Sequence, residues 1–92
     1  MLKLLSIEQS PLKTKKLRAY FSDNTHTDFG ARNYSDYLHN KDDYRKSLYI
    51  KRHQKMENWN DPKSAGALSK YILWNKKTLK ASIADYKKHF HI

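Results

Sequence analysis

Hydrophobic and polar positions divide the chain into two regimes. Up to about residue 30 the apolar residues come in short or alternating runs. From residue 33 onward they recur at helical spacing. Residues 2–7, LKLLSI, are a short strand candidate, followed by turn chemistry at Ser10-Pro11. Residues 16–21, KLRAYF, alternate, with Leu17, Ala19 and Phe21 on one face. Ser22-Asp23-Asn24-Thr25 reads as a turn, because Asp and Asn bond their own backbone and tolerate left-handed dihedrals. His26–Phe29 returns as the partner strand, and Gly30 ends the hairpin.

The hairpin register follows from the faces. A two-residue loop at Asp23-Asn24 pairs Phe21 with His26 and sets Phe29 opposite Arg18. A three-residue loop, Asp23 to Thr25, pairs Phe21 with Thr27 and Ala19 with Phe29, which gathers Leu17, Ala19, Phe21 and Phe29 on one side. A slip of one residue moves every side chain to the other face, so the three-residue loop is expected.

In the second regime Ser35 is the expected cap of a short helix that starts near Tyr37 and Leu38. A second helix is expected from Asp42 or Asp43 towards Met56, with Tyr44 and Leu48 as i, i+4 neighbours. Asp61-Pro62 predicts a third start, since proline at the first helical position loses no hydrogen bond; this helix carries Leu68, Tyr71, Ile72 and Trp74 and stops at Asn75. Thr78 opens the last helix, where Leu79, Ile83, Tyr86 and Phe90 form the cleanest apolar stripe in the chain. The predicted fold is α+β: a small antiparallel hairpin or three-stranded sheet (1–30), then three or four short helices (33–90), in one domain spanning 1–92. The expected core is Leu5, Leu17, Ala19, Phe21, Phe29, Tyr37, Leu48, Leu68, Ile72, Leu79, Ile83 and Tyr86.

Composition sharpens this picture. Only 38% of the 92 residues are hydrophobic while 13% are aromatic, so rings must supply much of the buried area at roughly 150–250 Å² each. There is no cysteine, which removes disulfides, thiolate catalysis and cysteine-based zinc sites and fits a reducing compartment. No apolar run approaches the roughly 20 residues that span a bilayer, and the N-terminus lacks a signal-peptide pattern. The expectation is a soluble intracellular protein with no membrane partner.

The net charge is +10. Such a balance attracts phosphate without sequence preference, and it also keeps a small protein soluble. The candidate nucleic-acid-binding residues are Lys13, Lys15, Lys16 and Arg18; Arg45, Lys51, Arg52 and Lys55, with Lys46 in the same cluster; Lys76, Lys77 and Lys80; and Lys87 and Lys88. They are spread over several elements and predict no base-specific readout. Trp59 and Trp74 are candidate stacking residues. Trp74 lies in an apolar run and is expected in the core, where Gly66 lets another element approach. For Trp59, in a polar loop, a core role and a stacking role both stand.

His26, His39, His53, His89 and His91 form no H-x-x-x-H or H-E-x-x-H pair, so no metal is expected. Asp36, Asp42, Asp43 and Asp61 read as caps and turn formers. Walker, nucleophile-elbow and dinucleotide motifs are absent, so neither catalysis nor a cofactor is expected.

Several motifs occur in combination: Phe29-Gly30-Ala31, Tyr34-Ser35-Asp36-Tyr37, Arg52-His53, Glu57-Asn58-Trp59, Ala65-Gly66, and Trp74-Asn75-Lys76 followed by Thr78. With the run from Thr78 to Asp85 that follows, they extend over about two thirds of the chain. This pattern resembles a family of small basic proteins encoded by large nucleocytoplasmic DNA viruses, the giant viruses. The resemblance implies a viral protein made in the host cytoplasm or a viral factory, with packaging in the virion left open. It carries over no active site. Two partners follow as alternatives: nucleic acid, gripped by its backbone, or viral structural proteins, in a minor capsid or accessory role.

Overall fold

Three strands in the order β1-β2-β3 form an antiparallel sheet: β1 (Leu4–Gln9), β2 (Lys15–Phe21) and β3 (His26–Ala31). Four helices follow: α1 (Tyr37–Asn40), α2 (Asp43–His53), α3 (Ala65–Leu68), which continues into a π-helical turn at Ser69–Leu73, and α4 (Leu79–Phe90). The computed structural model describes all residues, 1–92, and the architecture is the α+β fold that the patterning predicts.

The hairpin loop has three residues, but they are Ser22 to Asn24. Phe21 N–H donates to the Thr25 carbonyl at 2.9 Å, and Asn24 N–H to the Phe21 carbonyl at 3.2 Å. Leu17 therefore faces Phe29, and Ala19 faces Thr27. Asn24 takes a φ of 67°, and the Asp23 carboxylate accepts the Thr25 N–H at 3.1 Å. The left-handed position falls on Asn24, which tolerates it, and that places the loop one residue earlier than expected. The pairing shifts by two residues, so the faces are unchanged and Leu17, Ala19, Phe21 and Phe29 still share one side. Gly30 does not end the hairpin. It sits inside β3 at φ 81°, and the strand runs on to Ala31.

In β1 the register shifts between Leu4 and Ser6. The extra residue turns Leu4 into the core, while Leu5, expected there, is 65% exposed. The core is Leu4, Ala19, Phe21 and Phe29 from the sheet, packed against Leu68, Ile72 and Leu73 and against Tyr86 of α4. Leu73 and Ala67 are buried although the pattern does not single them out.

Three helix signals resolve differently from expectation. Asp36, not Ser35, caps α1 by accepting the His39 N–H. Asp61-Pro62 forms a turn rather than a helix start; Ser64 is the cap of α3, accepting the Ala67 N–H at 3.0 Å. Helix α2 ends at His53, short of Met56. On α4 the buried positions are Ser82 and Tyr86. Leu79, expected inside, is exposed at the first position of α4, and the Ser82 hydroxyl turns inward to accept the Lys76 N–H at 3.0 Å. The Tyr86 hydroxyl donates to the Pro62 carbonyl at 2.6 Å, which ties the last helix to the loop before α3.

Helix α2 buries no residue completely, and Leu48, expected in the core, is half-buried. The helix is held by side-chain ties. Tyr49 stacks on Trp74, with centroids 4.5 Å apart and planes at 5°, and Lys46 Nζ donates to the Asn75 carbonyl at 2.8 Å. The Tyr37 hydroxyl donates to Asp43. These ties suspend α2 beside the sheet and leave a cleft between them.

Candidate functional site

The cleft has a volume of about 700 Å³. One wall is the junction of β2 and β3 with the loop at 32–36, contributing Lys15, Lys16 and Tyr34. The opposite wall is α2, with Arg45, Tyr49, Arg52 and His53. The third is α3 and the π-helical turn, with Ser69, Leu73 and Trp74. π-helical turns are concentrated at functional sites, and here the turn brings Trp74 over Tyr49.

Two glycines shape the walls. A Cβ on Gly30 would lie 2.6 Å from Leu73 Cδ1, and one on Gly66 would lie 2.8 Å from Glu57 Oε2. Gly66 thus admits the Glu57 carboxylate against the α3 backbone, the close approach expected of a glycine in a helix. That carboxylate accepts from Trp59 Nε1 at 3.1 Å and stands 3.1 Å from His53 Nδ1, a contact that the Nδ1–H tautomer makes a hydrogen bond. His53 in turn stacks on the other end of Tyr49, at 4.3 Å and 25°. Trp74, Tyr49 and His53 form a continuous three-ring stack along the cleft. Burial pushes the Tyr49 phenol well above its ordinary pKa, and the Glu57 charge adds to this.

Four cationic side chains, Lys15, Lys16, Arg45 and Arg52, face two carboxylates, Asp36 and Glu57. Lys16 is engaged: its ammonium bonds Asp36 at 2.6 Å and the Tyr34 carbonyl. Burial works against the Asp36 charge, but hydrogen bonds from Lys16 and His39 outweigh it and hold the carboxyl below the usual range. Lys15, Arg45 and Arg52 have no carboxylate within 4.0 Å and no side-chain hydrogen bond. Their charge is directed at solvent and at the cleft.

The remaining candidates lie elsewhere. Arg18 pairs with Asp28 at 2.9 and 3.1 Å on the outer face of the sheet. Lys13 is exposed in the turn between β1 and β2. Lys51 and Lys55, on α2 and just beyond it, are exposed and do not line the cleft. Lys76, Lys77 and Lys80 flank the start of α4, and Lys87 and Lys88 lie in its last turn, where cations complement the helix dipole. Trp59 is half-buried, held by Glu57 and by Lys70 Nζ 5.0 Å from its ring centre. Tyr34, Tyr49, His53 and Trp74 join the site without having been singled out as a group. The i, i+4 spacings of Tyr49, His53 and Glu57 were the available signal; the partnership with Trp74 crosses 25 residues and left none.

No three metal-ligating side chains come together, and no helix is long and apolar enough to cross a membrane. The class defined is a small α+β protein with a basic, aromatic-lined cleft between sheet and helices. Residues 5–53 match the model of a family of unknown function, DUF5754, and the chain belongs to that family. The matched segment contains the sheet except Leu4, together with α2, and so all four cleft cations. No curated protein and no solved structure matches the chain.

Proposed function

We propose that this is a small non-enzymatic viral protein that associates with nucleic acid through its phosphate backbone, with the cleft as the contact surface. The observation that carries this reading is the convergence of Lys15, Arg45 and Arg52 from two separate elements on one cleft, each without an internal partner. Unpaired cations gathered from distant sequence positions are a charge array available to an external anion. The carboxylates have structural work: Asp36 caps α1, Asp28 holds Arg18, and Glu57 orients His53 and Trp59. The viral part of the proposal rests on the motif resemblance. A protein made in an infected cytoplasm or viral factory meets replicating genomes there and is positioned for packaging with them.

The test is binding of the purified chain to labelled DNA across a salt series. Affinity that falls log-linearly with salt and survives a change of base sequence supports backbone contact. Absence of binding at low salt overturns it, leaves the charge as a solubility device and directs attention to viral structural proteins as partners.

A further inference from the structure

The cleft also carries a selectivity, which rests on the phosphate-binding reading. We infer that it takes single-stranded nucleic acid in preference to duplex, stacking an unpaired base on Tyr34 while Lys15, Arg45 and Arg52 hold the flanking phosphates.

Three observations lead there. The first is shape. The cations line a concavity of about 700 Å³, within the roughly 300–1,000 Å³ range of sites that enclose small ligands. A duplex is engaged by a protruding helix or ribbon in its groove, about 12 Å wide for the major groove. Here Arg45 and Arg52 of α2 line the rim of the cleft across from Lys15 on the sheet, and a rigid duplex set against that rim leaves the concavity between them unfilled. A single strand can bend its backbone into the cleft and leave its bases free.

The second is Tyr34. It is 74% exposed, and its hydroxyl has no hydrogen-bond partner. Its backbone is nonetheless anchored: its carbonyl accepts from Lys16, and its N–H donates to the Ala31 carbonyl at 3.2 Å. An aromatic ring on a fixed backbone beside unpaired cations is what single-strand sites use, since any base offers a π-face. In duplex those faces are already covered by neighbouring bases.

The third is the wall opposite. The Trp74–Tyr49–His53 stack is held by its own ring contacts and lines the same cleft, so a base entering from Tyr34 meets an aromatic wall fixed by the fold.

The experiment uses the full chain and three fluorescent probes: an oligothymidylate of roughly twelve nucleotides, within the span of single-strand sites, a duplex with the same number of phosphates, and thymidine monophosphate. The expected result is single-strand affinity about tenfold or more above duplex, with the monophosphate weakest. Tyr34→Ala is expected to lower single-strand affinity about tenfold, the size of one lost base–ring stack, and leave duplex affinity unchanged. Tyr34→Phe restores it. Because Tyr34 is exposed, circular dichroism of both variants is expected to match the parent chain. Equal or tighter duplex binding overturns the inference and leaves backbone association standing. Single-strand preference that persists in Tyr34→Ala overturns the assignment to Tyr34. No binding to any probe overturns both this inference and the reading beneath it.

Discussion

The Lys16 ammonium stands 2.6 Å from the Asp36 carboxylate, whose side chain is 1% exposed. The pair joins the first turn of α1 to β2, since Asp36 also accepts the His39 N–H that opens the helix. One cleft cation is thereby committed to the fold. Removing the carboxylate strands a partly buried ammonium and uncaps a helix. Asp36→Ala is expected to destabilise the chain by about 3 kcal/mol, the range for breaking a buried ion pair. Asp36→Asn keeps a capping oxygen and should cost less. Urea unfolding decides it: equal, small losses in both variants would show that the pair contributes little.

The acid limb of stability follows from three carboxylates. Asp23 is held down to about 2 by hydrogen bonds from Lys63 and Thr25. Arg18 lowers Asp28, with Ser10 assisting, and Lys16 and His39 lower Asp36 against its burial. Each group binds its proton more weakly in the folded chain than in the unfolded one. Their stabilisation is complete above the unfolded carboxylate value of about 4 and is lost as pH falls through the lower folded values. Urea midpoints measured from neutral pH downward should stay level to about pH 4 and then drop. A drop beginning near neutrality would assign the acid limb to histidines instead.

At Gly30 two constraints coincide: a φ of 81°, and Leu73 Cδ1 only 2.6 Å from where a Cβ would stand. Leu73 is the flexible end of a side chain and can yield, but the backbone strain remains. Gly30→Ala is expected to cost about 1–3 kcal/mol, the range for a residue forced into that region. Thermal unfolding measures it. An unchanged midpoint would mean that the strand relaxes to negative φ, which hydrogen exchange along β3 would reveal.

The fold class was legible because alternation at Leu17, Ala19 and Phe21 and the caps at Asp42 and Thr78 are local signals. Where expectation and structure differ, a single residue or a distant partner decided the outcome. An extra residue in β1 exchanged Leu5 for Leu4, and Asn24 drew the hairpin loop forward. On α4 the Ser82 hydroxyl is buried by its bond to Lys76, while Leu79 at the helix start is exposed. The site was legible only in part. Lys15, Lys16, Arg45 and Arg52 stood among the basic candidates, but charge clusters along the chain do not say which cations are neutralised by Asp28 or Asp36. The Tyr49–Trp74 stack, which positions α2 and creates the cleft, depends on tertiary folding alone.

That sorting of paired from unpaired cations yields a quantitative expectation for binding. Each phosphate neutralised on a single strand contributes about −0.7 to the slope of log affinity against log salt. Lys15, Arg45 and Arg52 are unpaired, whereas Lys16 already faces Asp36. A cleft-centred contact therefore predicts a slope of about −2, well short of what all candidate lysines and arginines acting together would produce. Arg45→Gln and Arg52→Gln should each reduce the slope by roughly 0.7 and weaken binding to every sequence alike. Lys3→Gln, an exposed substitution outside the cleft, provides the control for net charge and should leave the slope unchanged. A steep slope that responds equally to all three substitutions would place the contact over the whole basic surface rather than in the cleft.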